Sequence, residues 1–154
     1  MVERKTDIDY LKLAIDNSRK SFEEGNFPAG AVVVVNGEVV SSEVSSPYPG
    51  LLHADSKAVQ AAFNKLDLMP EATLYCSMQS CLMCTSVAYW GGIRRIVFAV
   101  RKEQVDPHYY ETRENTDSVV DSYHEKIERI HVPELEAEAL AVVREWEAKQ
   151  GVKA

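Results

Sequence analysis

Two short segments of the sequence carry side chains that bind metals and move protons. The first is HAD at residues 53–55, and the second is SCLMC at residues 80–84. Cys81 and Cys84 are three residues apart, so their thiols share one face if the segment is helical. Zinc sites with three protein ligands keep a fourth position for water, as catalytic zinc sites do. The sequence therefore predicts a Zn2+ ion held by His53, Cys81 and Cys84.

A catalytic zinc site also needs a carboxylate that moves protons, and Asp55 is the candidate because it follows His53 by two residues. Each of these residues also has an interpretation that involves neither zinc nor catalysis by a metal site. Cys81 and Cys84 could form a redox pair or be two buried thiols, and His53 could be a core histidine. Asp55 could be a first-turn acid that complements the helix dipole. Cys76, on a predicted strand, is expected to be a buried small apolar residue.

Both segments are predicted to begin helices that follow loops. One helix is expected from His53 to Leu66, and the other from Cys81 to about Trp90 with Ser80 as its N-cap. A valine-rich run at 31–35 is followed by Asn-Gly, which predicts a β-hairpin. The other predicted helices are 7–24, 117–126 and 134–149, and the other predicted strands are 38–44, 73–77, 95–100 and 127–132.

This order of elements predicts an α/β fold. The hairpin implies an antiparallel pair, whereas the strand–helix–strand units that follow imply parallel strands. We expect a three-layer α/β/α arrangement around a mixed five-stranded sheet. With 154 residues, the chain (1–154) is expected to be a single domain.

The charge of the chain favours a small substrate over a polymer. Its net charge is −7 and its pI is near 5.1, whereas nucleic-acid binding draws on Lys and Arg. The candidates for a local basic patch are Arg94, Arg95, Arg101 and Lys102. Residues 1–9 have no apolar signal-peptide region and no aliphatic run is long enough to cross a bilayer, so a cytoplasmic location is expected.

The two segments and their surroundings resemble the cytidine and deoxycytidylate deaminase superfamily, in particular its guanine- and cytosine-deaminase-like branch. Zinc-dependent nucleobase deaminases carry an H-x-E … P-C-x-x-C signature. The stretches at 27–32, 74–77 and 83–99 also resemble that family. Asp55 stands where the family has Glu, and Ser80 stands where it has Pro. The loop at 43–46 lacks the Asn that the family usually carries there.

The resemblance implies a cytidine-deaminase-like fold and a hydrolase that acts on the C–N bond of a nucleobase, nucleoside or related ring. Such an enzyme replaces an exocyclic amine with oxygen and releases ammonia, with Asp55 as its catalytic proton shuttle. A homodimer is also implied. Backbone N–H groups near Ser80 and Cys81 are expected to stabilise developing charge. The candidate substrate contacts are Phe27, Ala54, Ser80, Trp90 and Tyr109.

Three alternatives remain open. An adenosine deaminase acting on tRNA or another RNA would need a local basic patch. A catalytically inactive, deaminase-like subunit is possible because Asp55 replaces Glu. A CxxC oxidoreductase is disfavoured because no thioredoxin-like βαβ unit precedes the cysteines. Two of the candidate substrate contacts also have a structural interpretation. Trp90 could be a core residue, and Tyr109 could belong to an exposed loop.

Overall fold

A five-stranded mixed sheet lies at the centre of the structure, a computed structural model that describes residues 6–150. The strands are β1 (Gly30–Val35), β2 (Glu38–Val44), β3 (Ala72–Met78), β4 (Arg95–Val100) and β5 (Glu128–His131). They lie in the order β2-β1-β3-β4-β5. β1 is antiparallel to β2 and β3, whereas β3, β4 and β5 are parallel. The mixed sheet predicted from the sequence is confirmed, while both ends of the expected 1–154 domain lie outside the described residues.

Helices cover both faces of the sheet. They are α1 (Asp7–Glu23), α2 (Ala54–Leu66), α3 (Leu82–Trp90), α4 (Asp117–Asp121) and α5 (Glu136–Gln150). Val32 and Val34 pack with α1 and α5, whereas Ala31 and Val33 pack with α2 and α3, because successive side chains of a strand point to opposite faces. The α/β/α layers are therefore confirmed. Among residues 6–150, no helix combines the length and apolar character needed to cross a membrane.

The strand directions bring the chemically active segments to one edge of the sheet. β2 and β3 both run antiparallel to β1, and β4 runs parallel to β3. The loops that follow β2, β3 and β4 therefore leave the sheet at the same edge. The loop before β1 arrives there too, because Gly30 pairs with Val44 at the end of β2. Residues far apart in the sequence consequently meet at this edge.

Some boundaries differ from those predicted. α4 ends at Asp121 instead of Lys126, and the hydroxyl of Ser122 donates to the carbonyl of Val119 at 2.6 Å. Such a local hydrogen bond competes with continuation of the helix. The hairpin turn formed as predicted, with Asn36 and Gly37 both at positive φ.

Candidate active site

Three side chains meet in a group that could hold a metal ion. The ligand atoms of His53, Cys81 and Cys84 all lie within 4.8 Å of one another. His53 Nδ1 is 3.5 Å from Cys81 Sγ and 3.4 Å from Cys84 Sγ. Tetrahedral zinc with its usual bond lengths to sulfur and nitrogen requires an N–S separation of about 3.5 Å. The donor set and its spacing therefore fit zinc.

The starts of two helices position these donors. His53 is the N-cap of α2, and its Nε2 lies 2.9 Å from the Gly50 carbonyl. A proton on Nε2 that bonds this carbonyl leaves Nδ1 free to face a metal. Cys81 is the N-cap of α3, where its sulfur accepts a hydrogen bond from the Cys84 N–H at 3.5 Å. The prediction that Ser80 caps this helix is wrong, because Cys81 is the N-cap and the hydroxyl of Ser80 donates to the carboxyl of Asp55.

The three donors alter one another's protonation. The hydrogen bond from Cys84 and that from His53 lower the pKa of Cys81 to about 7, against desolvation. The hydrogen bond with Cys81 raises the pKa of His53 to about 9, also against desolvation. Because the thiolate is the form of cysteine that binds metals, the surroundings of Cys81 favour a metal ligand.

Asp55 lies beside this group in the first turn of α2. Its side chain is buried, with 7% exposed. Burial raises the pKa of the Asp55 carboxyl, while the hydrogen bond from the Ser80 hydroxyl, at 2.7 Å to Oδ2, lowers it. The net shift is upward, which favours a carboxyl that takes up and releases a proton more readily than an exposed one near neutral pH.

A cavity of about 260 Å³ joins these residues to solvent. His53, Asp55 and Cys81 line one part of it. Of the substrate contacts expected from the sequence, Phe27, Ala54 and Tyr109 also line the cavity, whereas Ser80 and Trp90 do not. The cavity is slightly smaller than most small-molecule sites, which measure roughly 300–1,000 Å³.

Four aromatic rings stand together beside the cavity, and three of them, Phe27, Tyr48 and Tyr109, line it. Phe27 lies 5.1 Å from Tyr109 and 5.3 Å from Trp146 between ring centroids, both edge to face. Tyr48 lies 5.5 Å from Tyr109, and its hydroxyl donates to the carbonyl of His108 at 3.3 Å. Trp146 belongs to α5, so the last helix is packed onto the loops of the site. Sequence reasoning missed Tyr48, which lies in the Ser- and Pro-rich loop before His53, and Trp146, which is far from both metal motifs in the chain.

Trp90 lies away from the cavity at the end of α3. Its side chain is 76% exposed, and its ring meets the edge of Tyr89 at 5.5 Å. The alternative expectation that Trp90 is a core residue is therefore wrong. Because α3 ends at this residue and Cys81 lies at the other end of the helix, Trp90 faces away from the candidate metal site.

Glu111 is a further residue that sequence reasoning missed. Its Oε1 accepts from the Leu82 N–H at 3.1 Å and its Oε2 from the Met83 N–H at 3.0 Å. Desolvation raises the pKa of Glu111, but the hydrogen bonds from the N–H groups of Met83, Glu111 itself and Leu82 and from the Cys81 side chain together hold that pKa below its usual range. The N–H groups of Leu82 and Met83 thus bind a carboxylate of the chain itself, next to the Ser80 and Cys81 N–H groups that are expected to stabilise developing charge.

We expect Glu111→Ala to destabilise the start of α3. An N-terminal helix cap contributes about 0.5–2 kcal/mol, which corresponds to a fall in Tm of about 2–8 °C for a domain of this size. Thermal unfolding followed by circular dichroism measures it. Glu114→Ala, an exposed change in the same loop, is the matched control. An equal Tm for the two variants would contradict this role of Glu111.

Comparison with known proteins places the site in context. Residues 4–100 match the family described as the cytidine and deoxycytidylate deaminase zinc-binding region. The chain is 30% identical over 102 residues to a probable cytosine deaminase of Schizosaccharomyces pombe, a match covering 64% of this chain and 63% of that protein. It is 27% identical over 95 residues to a tRNA-specific adenosine deaminase of Aquifex aeolicus, covering 58% and 63%. The chain thus spans about three fifths of the length of these curated relatives.

A solved structure extends the similarity beyond residue 100. The guanine deaminase from Nitrosomonas europaea superimposes with a TM-score of 0.78 and 21% identity, covering 96% of this chain and 87% of that one. At this identity the comparison establishes the fold. All four reactive side chains of the candidate site, His53, Asp55, Cys81 and Cys84, fall inside the segment that matches the family.

Proposed function

The chain belongs to the family of cytidine and deoxycytidylate deaminases, and we propose that it is a zinc-dependent hydrolytic deaminase of a small aminated nitrogen heterocycle. In this reaction water and the amine-bearing ring give a ring carbonyl and ammonia. One observation carries the proposal: two donors of the three-donor group suited to zinc, His53 and Cys81, line the same cavity as the buried Asp55.

In the proposal, His53, Cys81 and Cys84 hold the zinc ion. Zinc bound by three protein ligands supplies a water of lowered pKa at a fixed place in the cavity. His53 presents Nδ1, because its other nitrogen bonds the carbonyl of Gly50. Both cysteines come from the start of α3, so the helix sets their separation.

Asp55 moves the protons. It takes one proton from the attacking water and passes it to a ring nitrogen. It then takes the second proton from the hydroxyl formed on the ring carbon and delivers it to the departing amine. A general base must lie within hydrogen-bond reach of the proton that it takes. The presence of Asp55 and Cys81 in the lining of one cavity supports this role. Burial excludes bulk water from the carboxyl.

Aromatic side chains that line the cavity bind the flat ring in this proposal. Phe27 and Tyr109 line the cavity and present faces and edges against which a heterocycle can stack. Tyr48 ties the loop after β2 to the loop after β4 through its bond to His108. Because these loops meet over the entrance and the cavity is small, a free base or similar ring fits this site better than a nucleotide within a folded RNA.

The distribution of positive charge also favours a small substrate. Arg95 pairs with Asp7 at 2.6 Å, and Arg101 pairs with Glu136 at 3.0 Å. Lys102, the last member of the candidate basic patch, is buried. Cations already engaged by carboxylates contribute little to phosphate binding. An RNA substrate would therefore find little of the basic surface that it requires.

The proposal predicts ammonia release from at least one free base by the zinc-loaded chain. The test incubates the protein with cytosine, guanine, adenine, their nucleosides, and aminated pterins and triazines, and measures ammonia with a coupled enzyme assay. A tRNA anticodon stem-loop, assayed at 50 and 200 mM salt, forms a separate arm. We expect a free base to exceed its nucleoside at least tenfold in kcat/KM.

Each other outcome of this test points to a different function. Deamination confined to the stem-loop, and weakened by salt, would replace the proposal with an RNA adenosine deaminase. If no substrate releases ammonia although one zinc ion is bound per chain, the inactive-subunit alternative is favoured. A positive result that is lost in the variants of the reactive residues identifies the cavity as the site.

A further inference from the structure

The hydroxyl of Ser80 lies between two buried groups. It donates to Oδ2 of Asp55 at 2.7 Å and lies 3.3 Å from Sγ of Cys76. Asp55 is 7% exposed and Cys76 is wholly buried. Since Ser80 donates its only proton to the carboxyl, its oxygen can accept from the thiol, which also interacts with Asp55 directly. The three side chains thus form a short chain of hydrogen bonds that ends at the carboxyl.

This contact joins the two positions at which the chain departs from the nucleobase-deaminase signature. The signature has Glu at position 55 and Pro at position 80. Aspartate is one methylene shorter than glutamate, which withdraws its carboxyl by about 1.5 Å, the length of one C–C bond. Serine brings a hydroxyl donor that proline lacks. The shorter acid and the added donor therefore occur at the two ends of one hydrogen bond.

We propose that Ser80 is a positioning residue that holds the Asp55 carboxyl in place, and that Asp55 and Ser80 operate as a matched pair. The catalytic consequence rests on the proposed function, whereas the holding contact does not. Ser80 is not among the residues that line the cavity, so it acts on the reaction through Asp55 only.

The geometry explains why such a support is needed. Asp55 begins α2, while Ser80 belongs to the loop between β3 and α3. A proton shuttle misplaced by about 1 Å can lose roughly 10²-fold in rate. Ser80 bonds Oδ2 of Asp55, and Asp55 lines the cavity. Burial raises the pKa of the Cys76 thiol well above its usual value, which keeps the thiol protonated behind Ser80.

A double-mutant cycle in thermal stability tests the holding contact without reference to activity. Ser80→Ala, Asp55→Ala and the double variant are each compared with the unmodified chain in zinc-loaded form. We expect Ser80→Ala to lower Tm by about 3–10 °C when Asp55 is present, because a buried carboxyl loses its donor. The same change should lower Tm far less in the Asp55→Ala background. Equal decreases in both backgrounds would overturn the proposal.

Steady-state kinetics on the best ring substrate test the positioning role. We expect Ser80→Ala to lower kcat about 10- to 100-fold and to leave KM within about twofold. Ser80→Thr keeps the hydroxyl and should recover most of kcat. The matched control is Ser86→Ala, which removes a hydroxyl of α3 that contacts Tyr123 outside the cavity and should leave kcat unchanged. A wild-type kcat for Ser80→Ala would overturn the proposal.

Replacing both Asp55 and Ser80 by the residues of the signature tests whether the two are matched. In Asp55→Glu the longer side chain meets the Ser80 oxygen, which is already at contact distance from the aspartate. We expect the variant with both Asp55→Glu and Ser80→Pro to exceed Asp55→Glu alone at least tenfold in kcat, and equal values would overturn the matched pair. If the unmodified chain deaminates no ring, the proposed function fails, and the stability cycle still decides whether Ser80 holds Asp55.

Discussion

Asp55→Asn is expected to lower kcat for ammonia release by about 10²- to 10⁴-fold, the usual contribution of a general acid–base residue. Asparagine has the shape of aspartate and retains an oxygen that can accept from Ser80, so the fold and the cavity should persist. It cannot carry a proton between water and the ring. Because the loss concerns a step after binding, KM should change much less than kcat.

Three measurements accompany this variant. Zinc content by atomic absorption should stay at one ion per chain, and Tm should stay within a few degrees of that of the unmodified protein. Asp16→Asn, which changes an exposed carboxyl of α1, is the matched control and should retain full activity. Activity of Asp55→Asn within tenfold of the unmodified chain would show that another group moves the protons.

Loss of zinc is the second large effect that we expect. Cys84→Ala should bind no zinc at stoichiometric concentration and should release no measurable ammonia. A ligand present at about 1,000 times its Kd stabilises a protein by about 4 kcal/mol. For a domain of this size, its loss lowers Tm by about 8–16 °C. Differential scanning calorimetry of the unmodified chain, with and without a strong chelator, measures the same quantity, and added zinc should reverse the change.

Cys76 supplies the matched control for the zinc ligands. It is a buried cysteine like Cys84 but is not part of the three-donor group. Cys76→Ala should therefore keep one zinc ion per chain, even if its stability falls. A Cys84→Ala variant that keeps zinc, or a Cys76→Ala variant that loses it, would contradict the assignment of the ligands.

The features that could be predicted from the sequence are those with local signals. The hairpin depends on Asn36 and Gly37, which are adjacent and whose positive φ values only a few residue types tolerate. The spacing of Cys81 and Cys84 is a helical spacing, and both residues were expected at the start of one helix. The run of valines at 31–35 likewise predicts a strand, because β-branched residues favour strands, and β1 is buried along nearly its whole length.

The features that escaped prediction depend on contacts between distant parts of the chain. Glu111 binds N–H groups 28 and 29 residues away, and no pattern around Glu111 distinguishes it from its acidic neighbours. Serine is a favoured N-cap residue, and the position of Ser80 before a helical segment predicts that role. Its hydroxyl instead donates to Asp55, 25 residues away, because the fold brings the first turn of α2 next to the loop before α3.

The wall of the cavity is shared between the part of the chain that matches the family and the part that follows it. His53, Asp55 and Cys81 lie within residues 4–100, whereas Tyr109 and Glu111 lie beyond residue 100. Substitutions beyond residue 100 can therefore change the shape of the cavity without changing any of the three donors of the candidate metal site.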